Sequence, residues 1–186
     1  SGIHWNFSPV LDLGRDPRWP RFWETFGEDP HLVATMGRAI VDGYQNSGVP
    51  FAATLKHFFG YGFSLSGKDR TPAWIPERQL REYFLPPFQA AIESGAMSIM
   101  VNSGEINGIP VHSNKALLTD LLRDELGFEG LLVTDWEDVK YLFTRHMIAH
   151  DYKEATQMAI EAGIDMAMVP MDLEFTEHLL ELVREG

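Results

Sequence analysis

The sequence predicts an α/β fold in which about five βα units lie side by side on a parallel sheet. Three observations carry this expectation. Short apolar runs rich in β-formers alternate, along 186 residues, with longer segments of helical period, the succession that βα units produce. Several of those runs are nearly continuous in apolar residues, as strands covered by helices on both faces must be. The composition, 45% hydrophobic, 12% aromatic and 23% charged, belongs to a chain with a packed core and excludes a disordered tail, a collagen-like repeat or a coiled coil.

The elements follow in order. The first strand is Ile3 to Leu13, and an irregular stretch from Gly14 to Gly27 succeeds it. Asp29-Pro30 starts a helix, an N-cap acid followed by proline at the first helical position; Leu32, Val33, Met36 and Ile40 form its apolar stripe, and Ser47-Gly48 ends it. The second strand is Phe51 to Phe58, and the second long irregular stretch is Gly60 to Ala73. Pro76 to Ser94 has helical period, but Pro86-Pro87 must kink or split it, because neither residue donates a backbone hydrogen bond. Ser98 to Asn102 is the third strand. Ser113 is expected to cap a helix whose apolar face is Leu117, Leu118, Leu121, Leu122 and Leu126, stopped by Gly127. Leu131 to Thr134 is the fourth strand. Asp151 with Glu154 makes a capping box for a helix that Gly163 closes. Met166 to Val169 is the fifth strand, and a last helix runs from about Thr176 to Glu185. Both long irregular stretches directly follow strands, and ligand sites of α/β folds lie at the carboxyl ends of strands.

Charge and composition narrow the function. Fifteen basic against 27 acidic side chains leave a formal charge of −12, a field that repels phosphate backbones and anionic lipid heads. Neither nucleic acid nor a membrane is therefore expected as a partner. No apolar run approaches membrane-spanning length, and no basic segment followed by an apolar one opens the chain. Without cysteine there is no thiolate metal site and no Cys nucleophile; no metal or other cofactor is expected.

Asp135 is the first candidate for chemistry, since it follows the buried-strand signature Leu131-Leu132-Val133-Thr134 and is followed by Trp136. A carboxylate there would project into the mouth of a barrel, beside an indole face suited to the apolar C–H face of a sugar. Capping of a short helix begun by Glu137-Asp138 has about equal weight from position alone. Lys56-His57 ends the second strand in the same way, and the two side chains reach one ligand only where the strand ends or bulges. A buried lysine needs a carboxylate or a polar ligand. Three arginines in Arg15-Asp16-Pro17-Arg18-Trp19-Pro20-Arg21 suit bidentate binding of vicinal hydroxyls or a carboxylate, and at least two of them are expected to pair with Glu24, Glu28 or Asp29. Other constellations are weak. Gly60-Tyr61-Gly62 lacks the spacing of a phosphate loop, His146 and His150 have no third metal ligand and read as surface residues, Asp165 falls at the stability face of the sheet, and the sequon Asn6-Phe7-Ser8 lies inside a strand.

Taken together, Ser8-Pro9-Val10, Arg15-Asp16-Pro17-Arg18-Trp19, Arg21, Phe26-Gly27-Glu28-Asp29-Pro30, Lys56-His57-Phe58, Asn107-Gly108, Thr134-Asp135-Trp136 and Ala162-Gly163-Ile164-Asp165-Met166 resemble glycoside hydrolase family 3, in its β-glucosidase branch, over essentially the whole chain. The resemblance implies a TIM-like (β/α) barrel whose strand ends hold a nonreducing sugar. It implies that Asp135 is the nucleophile, that Arg21, Lys56 and His57 grip sugar hydroxyls, that Trp136 is an aromatic wall and that Met100 is a lining residue. Retaining hydrolysis also needs a protonated carboxyl roughly 5 to 5.5 Å from the nucleophile. In the β-glucosidase branch that acid comes from a later domain; Glu105 and Glu137 read as structural. The hexosaminidase branch has an Asp-His pair after its Lys-His-Phe motif, and Phe63 to Thr71 holds no histidine. Two departures stand out: Pro20 replaces the usual glycine before Arg21, and Ser103 stands near the position where many members carry tyrosine.

A full barrel of this kind takes about 250 residues, so residues 1–186 read as roughly five-eighths of an N-terminal barrel domain, without its first strands, its end or a C-terminal domain. The expected function is retaining hydrolysis of terminal nonreducing β-D-glucosyl residues from a β-glucoside or oligosaccharide, in a periplasmic or extracellular setting. Two readings compete with it: a catalytically incomplete fragment that binds sugar, and an engineered fragment made for folding or assembly. An open sheet leaves unpaired edges, so association with another copy or a complementing chain or domain is expected.

Overall fold

The computed structural model describes residues 2–186. Its framework is a three-stranded parallel sheet in the order β1 (Thr54–Phe58), β2 (Ser98–Val101), β5 (Leu131–Val133), with the hairpin β3 (Glu105–Ile106) and β4 (Ile109–Pro110) inserted after β2. The two outer runs extend this order on either side, Trp5 and Val10 bridging to Ala52 and Lys56, and Met166 bridging to Val133, all parallel. Spatial order thus equals chain order across five extended segments, the singly wound arrangement of part of a TIM-like barrel wall.

The first and fifth runs are bridged segments instead of the full strands expected, and each has a local cause. In the first, successive carbonyls of Ser8 and Pro9 accept from Thr54 and Lys56, two residues apart, so the pairing slips by one at the proline. In the last, Thr134 N–H donates to Met166 O, but the Thr134 hydroxyl takes the Met168 N–H and interrupts the backbone ladder.

The helices follow the sequence signals with informative shifts. Asp29 accepts from His31 N–H and starts α1 (Pro30–Gln45). Its buried face is Val33, Gly37 and Val41, whereas Leu32 and Met36, expected in the stripe, are exposed. Gly37 explains the rotation: a Cβ there would stand 2.7 Å from Leu11 Cδ2, so the first segment presses directly on the helix backbone. The 76–94 segment splits as expected, into α2 (Glu77–Gln79), a widened π turn over Leu80–Phe84 and α3 (Leu85–Glu93). The wide turn lies one turn before Pro86-Pro87, where their missing N–H groups and ring bulk act. The helix over Ala116–Glu125 is π-type and is capped by Asn114, which accepts from Leu117 N–H; Ser113 belongs to a preceding 3-10 turn and bonds Pro110 O instead. Leu118, Leu121 and Leu122 are buried along it, Leu117 and Leu126 only partly. After α4 (Asp138–Thr144), α5 (Tyr152–Ala162) begins at the expected Asp151–Glu154 cap and ends at Gly163, and α6 (Glu174–Glu185) closes the chain. The hairpin was not anticipated, although Asn107-Gly108, at φ +53° and +84°, supplies the two left-handed residues its turn requires.

Leu55, Phe58, Phe59, Phe88, Ile99, Leu122 and Leu132 form the centre of the core, sheet against helices. Among the described residues no helix is long and apolar enough to cross a membrane. The rotated α1 face is testable by urea denaturation: Val33→Ala should lower stability by about 2 kcal/mol, and Leu32→Ala by less than about 0.5 kcal/mol. Equal losses would place the helix in the orientation that the sequence stripe suggests.

Candidate active site

Asp135 stands two residues beyond β5, where the strand leaves the sheet between buried Thr134 and exposed Trp136. Its backbone N–H donates to His112 Nε2 at 3.4 Å. Its Oδ1 accepts from Trp136 N–H at 2.6 Å and from Arg70 Nη2 at 3.5 Å. Oδ2 is buried without a hydrogen-bond partner, 3.6 Å from His57 Nε2. The alternative of a helix cap is not what the geometry shows, because Glu137 occupies the cap position of α4 and no side chain bonds there. Burial by itself would raise the Asp135 pKa; the facing His57, the Trp136 N–H and Arg70 outweigh it and hold the group below the ordinary carboxylate range. It is an ionised carboxylate with one oxygen unoccupied.

His57 reaches this place through a bulge. In β1, Lys56 pairs with Met100 but Phe58 already pairs with Val101, so the register shifts across His57. The condition for Lys56 and His57 to serve one ligand is met in the strand itself. His57 Nδ1 is 2.7 Å from Asp12 Oδ2, which also takes the His57 backbone N–H, and the pair is entirely buried. With Nδ1 committed to Asp12, Nε2 is the nitrogen left to face Asp135. Lys56 has no carboxylate within ion-pair distance among the described residues. Burial, helped by the nearby Arg21 charge, pushes its pKa below the usual lysine range.

Arg21 approaches from the first irregular stretch. Burial works against its charge, but a two-pronged bond to Glu24, at 2.7 and 2.9 Å, outweighs it and keeps the guanidinium firmly protonated. Pro20 suits this loop: it is the second residue of a turn closed by Phe22 N–H on Trp19 O, which asks for no N–H at that position. Trp136 is 46% exposed at the rim, and Met100 is buried on β2, in register between Lys56 and Val133. Tyr61 packs edge-on against both His57 and Trp19, and Gly62 is fixed by space, since a Cβ would meet Leu13 O at 2.9 Å. The structure therefore brings Asp135, Lys56 and His57 to one end of the sheet, with Arg21 close enough to Lys56 to act on its charge.

Several expectations are corrected. Only Arg21 among the three arginines pairs with the acids Glu24, Glu28 or Asp29; Arg18 folds onto Asp16, and Arg15 lies over the rings of Phe63 and Tyr83. His146 is not a surface residue, because its buried ring bonds Glu105 Oε1 at 2.6 Å, while His150 is exposed. That bond makes Glu105 structural. Glu137 is buried with Oε1 unpartnered and φ +59°. Asp165 does lie at the far end of the sheet, binding Arg123 and Leu132 N–H. Among the described residues no group of three potential metal ligands is assembled.

Four contributors were missed: Asp12, Arg70, His112 and Asp138. Asp138 is buried, with Arg70 Nη1 at 2.7 Å and the Ser103 hydroxyl at 2.5 Å. Burial pushes its pKa up to about 7, against the lowering effects of Arg70 and Ser103. Burial also holds His112 down at about 3, so the ring is neutral and free to accept the Asp135 N–H. Only Asp12 had a local signal, a lone acid inside an apolar run. The others are brought in by loop and helix geometry.

Residues 1–186 match the glycosyl hydrolase family 3 N terminal domain. The chain is 51% identical to a lysosomal beta glucosidase of Dictyostelium discoideum, covering 100% of this chain and 24% of that protein. It is 43% identical to a beta-xylosidase of Formosa agariphila, over 90% of this chain and 24% of that one. The crystal structure of a beta-glucosidase from Listeria innocua in complex with glucose superposes with a TM-score of 0.94 at 40% identity, covering 100% of this chain and 26% of that chain. The chain thus spans about a quarter of the length of the relatives it matches. Its sequence, its wound sheet and these likenesses agree, and the chain belongs to glycosyl hydrolase family 3, within the N-terminal domain of that family.

Proposed function

We propose that this chain carries the nucleophile and much of the sugar-binding surface of a retaining glycosidase that removes terminal nonreducing β-D-glucosyl residues. The observation that carries the reading is the buried, unpaired Oδ2 of Asp135 at the carboxyl end of the sheet, facing His57 Nε2. A buried oxygen without a partner is costly; here it is the atom that would attack. Asp135 would form a bond to the anomeric carbon as the bond to the leaving oxygen breaks, and the leaving oxygen would take a proton from a carboxylic acid. Water then cleaves the glycosyl ester with the same acid acting as base. Lys56, His57 and Arg21 are the donors for sugar hydroxyls, Trp136 is the apolar wall and Met100 the lining residue.

As the family resemblance implies, the acid is assigned to a part of the protein other than these residues; Glu105 is held by His146 and Asp138 by Arg70 and Ser103. Residues 1–186 on their own would accordingly bind sugar without turning it over, as part of a barrel domain that another domain completes. The relatives include a glucosidase and a xylosidase, and glucose is favoured by the closer identity. A location outside the cytosol agrees with the lysosomal relative.

Three outcomes are expected. In the natural protein that carries this sequence, a 2-deoxy-2-fluoro-β-glucoside should label Asp135, and Asp135→Asn should reduce kcat by about 10⁴-fold; labelling elsewhere with full activity in Asp135→Ala would overturn the reading. The isolated 186-residue chain should give a heat of glucose binding without hydrolysing an aryl glucoside. In light scattering it should associate through its open edges, and a monodisperse monomer that unfolds cooperatively would refute that association.

A further inference from the structure

We infer that Arg70 is a positioning residue for the nucleophile, locked in place by Asp138 and deciding which oxygen of Asp135 attacks. The inference rests on the reading of Asp135 as nucleophile.

Arg70 sits in the loop after β1 with φ +56°, a left-handed conformation in a residue with a side chain. The loop is tied to itself and to α4. Leu65 N–H bonds Pro72 O, the Ser66 and Thr71 hydroxyls lie 2.7 Å apart, and Arg145 donates to Arg70 O at 2.5 Å. A fixed backbone delivers the guanidinium to one place. There Nη1 donates to Asp138 Oδ1 at 2.7 Å and to Trp136 O at 3.3 Å, while Nη2 reaches Asp135 Oδ1 at 3.5 Å. The ring of Tyr141 lies 5.7 Å beneath. One planar group thus spans three acceptors on residues 135, 136 and 138, a geometry that a lysine ammonium does not provide.

Asp138 is the anchor of this fork. Arg70 donates to its Oδ1 and Ser103 to its Oδ2, so both of its oxygens are engaged in holding the fork. On Asp135, Oδ1 takes both the Trp136 N–H and the Arg70 prong. Oδ2 is left bare, and the lone pairs available for attack are therefore on Oδ2.

The charged or titratable groups facing Asp135 are Lys56 and His57 from β1, Tyr61 and Arg70 from the following loop, His112 and Asp138. Lys56 has a lowered pKa and His112 is neutral, whereas Arg70 stays charged throughout the working pH range. Removing that charge should raise the pKa of Asp135. Because the nucleophile must be ionised, activity would then fail at a higher pH on the acidic side.

The test uses Arg70→Met and Arg70→Lys in the natural full-length protein, with kcat/KM followed against pH and the rate of labelling by a 2-deoxy-2-fluoro-β-glucoside. Arg70→Met should move the acidic limb upward by about one unit and slow labelling by about 100-fold through loss of orientation. Arg70→Lys should return the limb toward the parent position while labelling stays slow, since it restores charge without the fork. Parent-like limbs and labelling rates in both variants would overturn the inference. If Arg70→Met does not fold, Arg70→Lys decides it alone, because parent-like labelling in that variant removes the need for the fork. Absence of label on Asp135 in the parent protein would sink the nucleophile reading instead, so the two failures are distinguishable.

Discussion

Keeping a carboxylate ionised where water is largely excluded is the constraint on which the rest of this site depends. Desolvation favours the neutral acid, and Asp135 is nearly buried. The surrounding chain answers from three directions: His57 from β1, the Trp136 N–H from the same turn, and Arg70 from the loop after β1. Each group needs its own support. Asp12 holds His57, Asp138 holds Arg70, and Ser103 holds Asp138. The result is a second layer of buried polar residues that touch no substrate atom in the proposed chemistry but fix those that would.

The sheet makes this layering possible through one irregularity. A regular strand sends neighbouring side chains to opposite faces, so a perfect β1 would give the site either Lys56 or His57. The register shift between Lys56 and Phe58 removes that choice. It sits at the carboxyl end of the strand. At the other end the pairing is regular and closed by a polar cluster in which the Trp5 indole N–H donates to both Thr54 and Ser98. One end of the sheet is built for order and the other for access, the division that barrel folds make between their stability and ligand faces.

What the sequence disclosed follows from how local each signal is. The alternation of apolar runs and helical periods located β1, β2 and β5 because a strand's burial pattern is carried by its own residues. Caps at Asp29 and Asp151 were legible for the same reason. The exposed side of α1 was not, because it depends on Gly37 admitting Leu11 from another segment. Asp135, Lys56 and His57 were legible from strand-end position and motif. Arg70 and Asp138 were not, since their pairing joins residues 68 apart across a loop whose backbone has to enter the left-handed region first.

Ser103 completes the polar support behind the site. In this chain its hydroxyl is spent one step back, on Asp138 Oδ2. Burial lifts the Asp138 pKa to about 7, and the Arg70 charge and the Ser103 bond both work against that rise. With Ser103 on one oxygen and Arg70 on the other, Asp138 can hold the guanidinium against both Asp135 Oδ1 and the Trp136 carbonyl. Arg70 is thus held from the Asp138 side, and Asp138 in turn by Ser103. The cost is a buried ion pair, and it is tolerable because Arg70 stays partly open to solvent while Asp138 takes the deeper position.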